Sequence, residues 1–508
     1  MRSSQGLCRT LFLAVLVGVT TPPVRAQESP SPTPTPGQVP APQQATDKLD
    51  GLFRDGFEFK SADGSNLLRI GASFHLDARA FFGDSVAPSS FDIRRARIDL
   101  RGQLRRWMTY RIQAAMENEP HIRNAWLDLG WSDAFHLRAG QMKVPFSTSW
   151  LTYDNQVNFV ERATVAPVYP FFDRGVMLWG QVLDSTLTYQ LGAYNGSGLD
   201  LDTPRGDIDD HKDAALRLFA QPFRGSGSQG LRGLYLAGQG TYGPQSVATR
   251  RFESGGLATA GAESRIWRWR LEQVIGTDGR SLDAVTAEID SRTRWGAEAH
   301  WLNGPLTFSF EYLVLSYDGI TISHSYFQGA NRLLGEPQLE RSGSVRSASL
   351  WVSYFLTGEQ KTLDAFGWRQ PVPASEMKPG AGGTGAWELL ARLSTTTTDR
   401  RLFDTVVVPG FSSDELAEMA AVAVGEGESV KAAVLDGTAE AVEATLGANW
   451  TLNPNLRLQF NLIHLWVPDP EDNGGLLSAG NSDLGDPTLK NRKVDSESSA
   501  VVRLIFRF

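Results

Sequence analysis

The residues with the most chemical potential stand in the run Phe91-Asp92-Ile93-Arg94-Arg95-Ala96-Arg97-Ile98-Asp99-Leu100-Arg101-Gly102, where Arg95, Arg97, Asp99 and Arg101 alternate with apolar side chains. Successive side chains of a strand point to opposite faces, so this spacing lines three guanidiniums along one face. Guanidinium stays charged at any relevant pH, and its planar fork binds phosphate or carboxylate oxygens in pairs. The chemistry offered is anion recognition without covalent change. The competing use of the same residues is structural: paired with carboxylates such as Asp99, they would stiffen a wall without selecting anything.

Other arginines share that alternation. Arg69, Arg79, Arg111, Arg268, Arg270, Arg392, Arg457 and Arg503 fall on the polar face of their segments, with Asp77, Glu117, Glu272, Glu311 and Glu388 as the acids on the same faces. Arg94 has the opposite parity and is expected to face lipid or an adjacent subunit.

Covalent catalysis finds little support. The seven histidines (His75, His121, His136, His211, His300, His324 and His464) are scattered, with no His-Glu-x-x-His spacing. Neither Gly-x-Ser-x-Gly nor a phosphate-binding Gly-x-x-x-x-Gly-Lys-Ser/Thr loop occurs. Asp200, Asp202, Asp207, Asp209 and Asp210 form an acidic loop that does not fit the twelve-residue calcium loop and reads as a solvated turn.

The elements that must position these arginines are long strands. Over residues 66–82 the even positions are Leu68, Ile70, Ala72, Phe74, Leu76, Ala78 and Ala80, while the odd ones include Arg69, Ser73, His75, Asp77 and Arg79. Strands of soluble domains usually run about five or six residues, whereas a tilted membrane-spanning strand needs about 9–11. The same alternation recurs around Leu187, Leu306, Trp387 and Leu456 and in the last strand, which ends on Phe508. Gly/Asp/Ser/Pro-rich loops separate the runs, and long outer loops with short inner turns are usual for such barrels. The fold class is therefore all-β, a transmembrane antiparallel β-barrel occupying residues 57–508.

Residues 1–26 read as a signal peptide: Arg2 and Arg9 precede an apolar stretch at 11–19, and Val24-Arg25-Ala26 resembles a cleavage site. Residues 27–50 read as a periplasmic spacer, because Pro30, Pro32, Pro34, Pro36, Pro40 and Pro42 prevent packing. Cleavage takes the 49 basic residues to 46 against 57 acidic ones, a formal −11, and removes Cys8, the only cysteine. An acidic chain argues against nucleic acid as a partner, and one without cysteine has no disulfide or thiolate metal site. The acidic stretch 412–442, within a long loop at about 402–443, opens with a helix capping box at Ser412-Ser413-Asp414-Glu415.

Taken in order, these residues resemble the phosphate- and polyphosphate-selective porin family, porins O and P. The arginine-rich segment at 91–102 is similar to that family's second strand, and Ala139-Gly140-Gln141-Met142-Lys143-Val144-Pro145-Phe146 to its Gly-Gln-x-Lys-x-Pro-Phe segment, about forty residues later. Phe159-Val160-Glu161-Arg162, Asp173-Arg174-Gly175-Val176, Tyr194-Asn195-Gly196-Ser197, Tyr354-Phe355-Leu356-Thr357-Gly358-Glu359 and Gly385-Ala386-Trp387-Glu388-Leu389 follow in sequence. The departures are the acidic insertion and the scarcity of lysine, nine against forty arginines.

The resemblance implies a homotrimeric 16-stranded channel in the outer membrane of a Gram-negative bacterium, surrounded by lipid and passing small anions such as phosphate or polyphosphate. It needs no cofactor and no metal. In such a barrel the strand register nominates Arg69, Arg79, Arg95, Arg97, Arg101 and Arg111 as pore lining; the resemblance further implies that the segment after Phe146 folds inward with Arg162 near the narrowest point, and that Lys143 belongs to the anion path. Phe508 resembles the terminal aromatic recognised by the barrel-assembly machinery. Two other readings stay open: a weakly selective or cation-preferring porin, and a secreted carbohydrate-binding or carbohydrate-active β protein.

Overall fold

The computed structural model describes residues 50–508 apart from 54–55, 84–88, 118–119, 197–210, 245–256, 259–263, 270–272, 276–280, 284–285, 324, 329–330, 335–338, 381, 405, 409–429, 433 and 478–492. The leader, nearly all of the spacer, Arg270, Glu272, the aspartates of 200–210 and the capping box at 412–415 lie outside the described residues.

Sixteen antiparallel strands form a closed barrel. They are β1 (Leu67–Phe82), β2 (Ser90–Leu104), β3 (Met108–Ala115), β4 (His121–Ser132), β5 (Phe135–Lys143), β6 (Phe172–Val182), β7 (Leu187–Tyr194) and β8 (Asp213–Ala220). The second half comprises β9 (Leu234–Pro244), β10 (Ser291–Asn303), β11 (Leu306–Ser323), β12 (Leu339–Phe355), β13 (Ala386–Thr398), β14 (Glu440–Asn453), β15 (Leu456–Trp466) and β16 (Ser496–Arg507). Closure comes from β1 pairing with β16, from Ser73 opposite Arg507 to Phe82 opposite Ser498. Below that zone an N-terminal hairpin takes over: Phe57–Lys60 pairs with β1 where β16 has ended, and the Phe57 and Phe508 rings meet at 5.8 Å.

The burial pattern is inside-out relative to a water-soluble sandwich. On β15 and its neighbour β14, Leu462 and Leu446 are 57% and 62% exposed, while Asn461 of β15 and Arg503 of β16, on the other face, are 3% and 0% exposed. Apolar side chains turned outward along every strand, with polar ones turned in, are stable only if hydrocarbon surrounds the barrel. The alternation in the sequence thus becomes a lipid face and a lumen face.

Three features depart from the simple alternation. Arg268, expected on the wall, lies in a strand (Arg265–Trp269) that pairs with Leu435–Gly437 in a small sheet at the loop end, where it meets Asp436 at 3.2 Å. The acidic loop ends at Glu440, where β14 begins, so its last residues belong to the wall. On β11 and β12 the inward face turns apolar near the loop end: Leu313, Leu315, Tyr317 and Val345 pack against Val165, Val168, Trp267 and Leu435. That part of the lumen is filled by a dry core.

The outward leucines give a direct check. Leu462→Arg is expected to destabilise the barrel by roughly 2–4 kcal/mol if it lies near the membrane midplane. Folding into lipid vesicles followed by heat-modifiable gel mobility should show the loss, whereas Asn461→Ser on the lumen face should shift it much less.

Candidate functional site

Residues 144–171, between β5 and β6, fold into the barrel instead of standing at its rim. The turn starts on a short helix, α1 (Thr148–Leu151), capped by the Ser147 hydroxyl, which accepts from the Trp150 amide at 3.2 Å. The far wall supplies carboxylates to its donors: the Thr148 N–H donates to Glu298 at 3.0 Å, and the Tyr169 hydroxyl donates to Glu311 at 3.1 Å. Its carbonyls are taken up by donors from three strands. Arg392 donates to Glu161 O (2.8 Å), Asn449 to Asn158 O (2.9 Å), and Arg457 to Val157 O (2.9 Å). A buried irregular segment is stable only when its backbone groups are satisfied in this way.

Two carboxylates of this segment face the arginine-rich wall. Glu161 accepts from Arg95 (3.0 Å), Arg94 (2.9 Å), Arg503 (2.9 Å) and Arg79 (3.3 Å), side chains delivered by β1, β2 and β16. Asp77 on β1 is shared by Arg503 (2.7 Å) and Arg79 (2.8 Å). Asp154 accepts from Arg162 at 3.0 Å and stands 3.6 Å from Arg95 and 3.8 Å from Arg97. Burial pushes the Glu161 carboxyl up, but Arg95, Arg94, Arg503 and Arg79 outweigh it and hold it well below the usual range. Asp154 is likewise raised by burial and brought well below its ordinary value by Arg95, Arg162, Arg123 and Lys143.

Arg79, Arg95, Arg97 and Arg162 therefore converge on Asp154 and Glu161. Arg97 also pairs with Glu117. Arg101, Arg111 and Lys143 line an adjoining cavity of about 300 Å³ with Arg97, and Arg111 grips Asp99 through two bonds of 2.8 Å. Lys143 and Arg162 also brace the backbone, since both donate to Thr152 O, at 2.9 and 3.0 Å, and hold the end of α1. Arg69 stands apart, paired with Glu58 of the N-terminal hairpin.

Arg94 corrects the parity argument. The register of β1 with β2 jumps from His75–Arg95 to Leu76–Ile93, so Arg94 is the extra residue of a bulge. It reaches Glu161 in the lumen rather than lipid. Nothing in the local alternation marks a bulge. Arg138 also escapes the sequence reading, although its parity on β5 is readable once that strand is bounded; Arg123, like Arg94, is the extra residue of a bulge, since the register of β3 with β4 jumps from Gln113–Asn124 to Ala114–Ile122. Arg369 is not readable: it lies in the 356–385 segment between β12 and β13, which enters the barrel, where Gln370 donates to Gln156 O at 2.9 Å and the Trp368 N–H donates to Thr152 Oγ1 at 3.0 Å. A short inner turn is the usual connection at such a position. Among the described residues no cluster of His, Cys, Asp or Glu has metal-binding geometry.

The sequence profile of the family "phosphate-selective porin O and P" matches residues 68–476. The chain belongs to this family. It is a porin of the Gram-negative outer membrane, a channel and not an enzyme. No curated protein sequence matches it. Among solved structures it is similar to in-vitro folded OmpT of Vibrio cholerae (9% identity, 87% of this chain and 98% of that one, TM-score 0.47). It is also similar to the outer membrane channel DcaP of Acinetobacter baumannii (9% identity, 89% and 99%, TM-score 0.45) and to Salmonella typhi OmpF (8% identity, 90% and 100%, TM-score 0.42).

The two depressed carboxylates make a pH prediction for this porin. A group whose folded value lies below its unfolded one stabilises above the unfolded value, about 4 for Asp and Glu, and that stability is lost as pH falls through the folded value. Conductance and selectivity should therefore show no step from these two groups between pH 7 and about 4 and change only below it, toward a higher anion-to-cation permeability ratio as Glu161 and Asp154 lose charge. Glu161→Gln should show the acid behaviour at pH 7, with greater open-channel noise in bilayer recordings. A wild-type transition between pH 5 and 7 would contradict the depressed values.

Proposed function

We propose that this porin passes small anions passively, phosphate or polyphosphate among them, along an arginine-lined path, and that it does so as a homotrimer. The observation that supports the reading is the charge around the constriction. Arg79, Arg94, Arg95, Arg97, Arg123, Arg162, Arg503 and Lys143 gather about Asp77, Glu117, Asp154 and Glu161, eight cations against four carboxylates. The imbalance is local, since the whole chain carries a formal −8. A pore lined by surplus cations in a low-dielectric wall concentrates anions and repels cations. Arginine suits this use because its charge does not depend on pH and its fork engages two oxygens at once.

In the same reading residues 1–26 are a cleaved leader, residues 27–50 a periplasmic spacer, and Phe508 a recognition point for the barrel-assembly machinery. Trimeric assembly is supported by membership of the porin O and P family.

The deciding experiment is the reversal potential of the folded protein in a planar bilayer under a potassium chloride gradient. Anion selectivity is expected, with phosphate reducing the chloride current. Replacing Arg95, Arg97 and Arg101 together by Ala should lower the chloride-to-potassium permeability ratio by at least ~threefold, because the carboxylates then face fewer cations. Cation selectivity of the wild type would overturn the anion reading and leave a general porin.

A further inference from the structure

Below the constriction, the cavity is walled by aromatic rings as well as by cations. The Arg138 guanidinium lies over the Trp126 face at 4.1 Å and within 5.2 Å of Phe366, while Arg111 lies over Tyr153 at 4.3 Å with Arg369 4.9 Å from the same ring. Trp126, Tyr153 and Phe366 are each half-buried and border the cavity. They arrive from β4, from the inward segment 144–171 and from the 356–385 segment, so only the tertiary fold brings them together. Gln190 of β7 closes the same cavity; its amide oxygen accepts from Arg217 at 3.4 Å, while its buried Nε2 has no acceptor among the described residues.

The rings hold the guanidiniums in place, but they offer an inorganic anion nothing directly. The face of an aromatic ring is the negative part of its quadrupole, so it repels chloride or phosphate rather than attracting it. A wall meant only for such ions would be better made of hydroxyls and amides. Ring faces and guanidiniums around one cavity suit a solute that carries both an anionic group and a flat apolar body. The cations and the spare Gln190 donor take the charge, and the ring edges together with the guanidinium planes laid on the rings take the flat body. A volume of about 300 Å³ fits a small solute of this kind.

We propose that this cavity is a binding station for organic anions built on a flat aromatic ring, aromatic carboxylates being the simplest, and that it holds them more tightly than inorganic phosphate. The assignment rests on the anion-preferring reading above and names its substrate class. A solute leaving the constriction at Asp154 enters this chamber next, since both share Arg97, Lys143 and Asp154 on their walls.

The test uses the folded full-length channel in a planar bilayer at pH 8, where phthalate, succinate and inorganic phosphate all carry close to two negative charges. Each is titrated against the chloride current. Phthalate is expected to half-block at about a tenfold lower concentration than succinate or phosphate, the scale of one or two ring contacts. Trp126→Leu and Phe366→Leu should each shrink the phthalate-to-succinate ratio at least ~threefold, and Trp126→Tyr should keep most of it. Trp387→Leu, which alters a ring stacked on Trp450 on the lipid face, should leave the ratio unchanged. The wild-type comparison stands even if a leucine variant fails to show heat-modifiable folding. Succinate or phosphate blocking as tightly as phthalate in an anion-selective channel would overturn this assignment and leave the anion reading intact. A cation-selective channel blocked by none of the three would overturn both.

Discussion

A backbone amide in hydrocarbon has no water to bond with, and this constraint governs the whole molecule. Every strand must be paired on both edges, which forces β1 onto β16 and makes the sheet a barrel. The hairpin at Phe57–Lys60 extends the same logic past the chain's end, covering the part of β1 that β16 does not reach. Once the sheet is closed, the two-residue period leaves only two destinations for a side chain. Apolar ones go to lipid, and arginines, glutamates and asparagines go to the lumen, where their charges must be managed.

The inward segment 144–171 manages them. Its Glu161 and Asp154 supply negative charge where Arg79, Arg94, Arg95 and Arg503 would otherwise repel one another, and the wall in return supplies the donors that an irregular buried backbone requires. Removing one carboxylate from such a buried set costs roughly 3–5 kcal/mol, because the remaining charges are left without compensation. The same residues thus hold the segment in place and set the field around it in the lumen. Stability and the local field are coupled through one cluster, so few substitutions there can change one without the other.

The lumen is also asymmetric. Near the loop end the inward faces of β11 and β12 carry Leu313, Leu315 and Val345, which pack against Val165 and Val168 and exclude water. Opposite them, Arg97, Arg111, Trp126 and Lys143 border open space. The cavity therefore lies on the side of β1 to β7, where cations and rings stand close together. In a wide central pore the same groups would be screened within about a Debye length of 8–10 Å.

The alternation over residues 66–82 and its repeats along the chain were enough to establish long strands, the barrel and the arginine-bearing face, because periodicity and side-chain type are properties of a line. The motifs around Arg95 and Lys143 pointed to the family for the same reason. Tertiary structure decided the rest. The bulge at Arg94, invisible in the alternation, turned an arginine expected in lipid toward Glu161. The inward course of the 356–385 segment, where such barrels usually carry a short turn, brought Arg369 and Phe366 into the lumen. Glu161 meets Arg503, 342 positions further along the chain, only once the sheet has closed into a ring. Charge interactions fall off with distance and depend on burial, so a register can place an arginine on a face without giving its depth or its partner. Those come only from the three-dimensional meeting of segments that the sequence keeps apart.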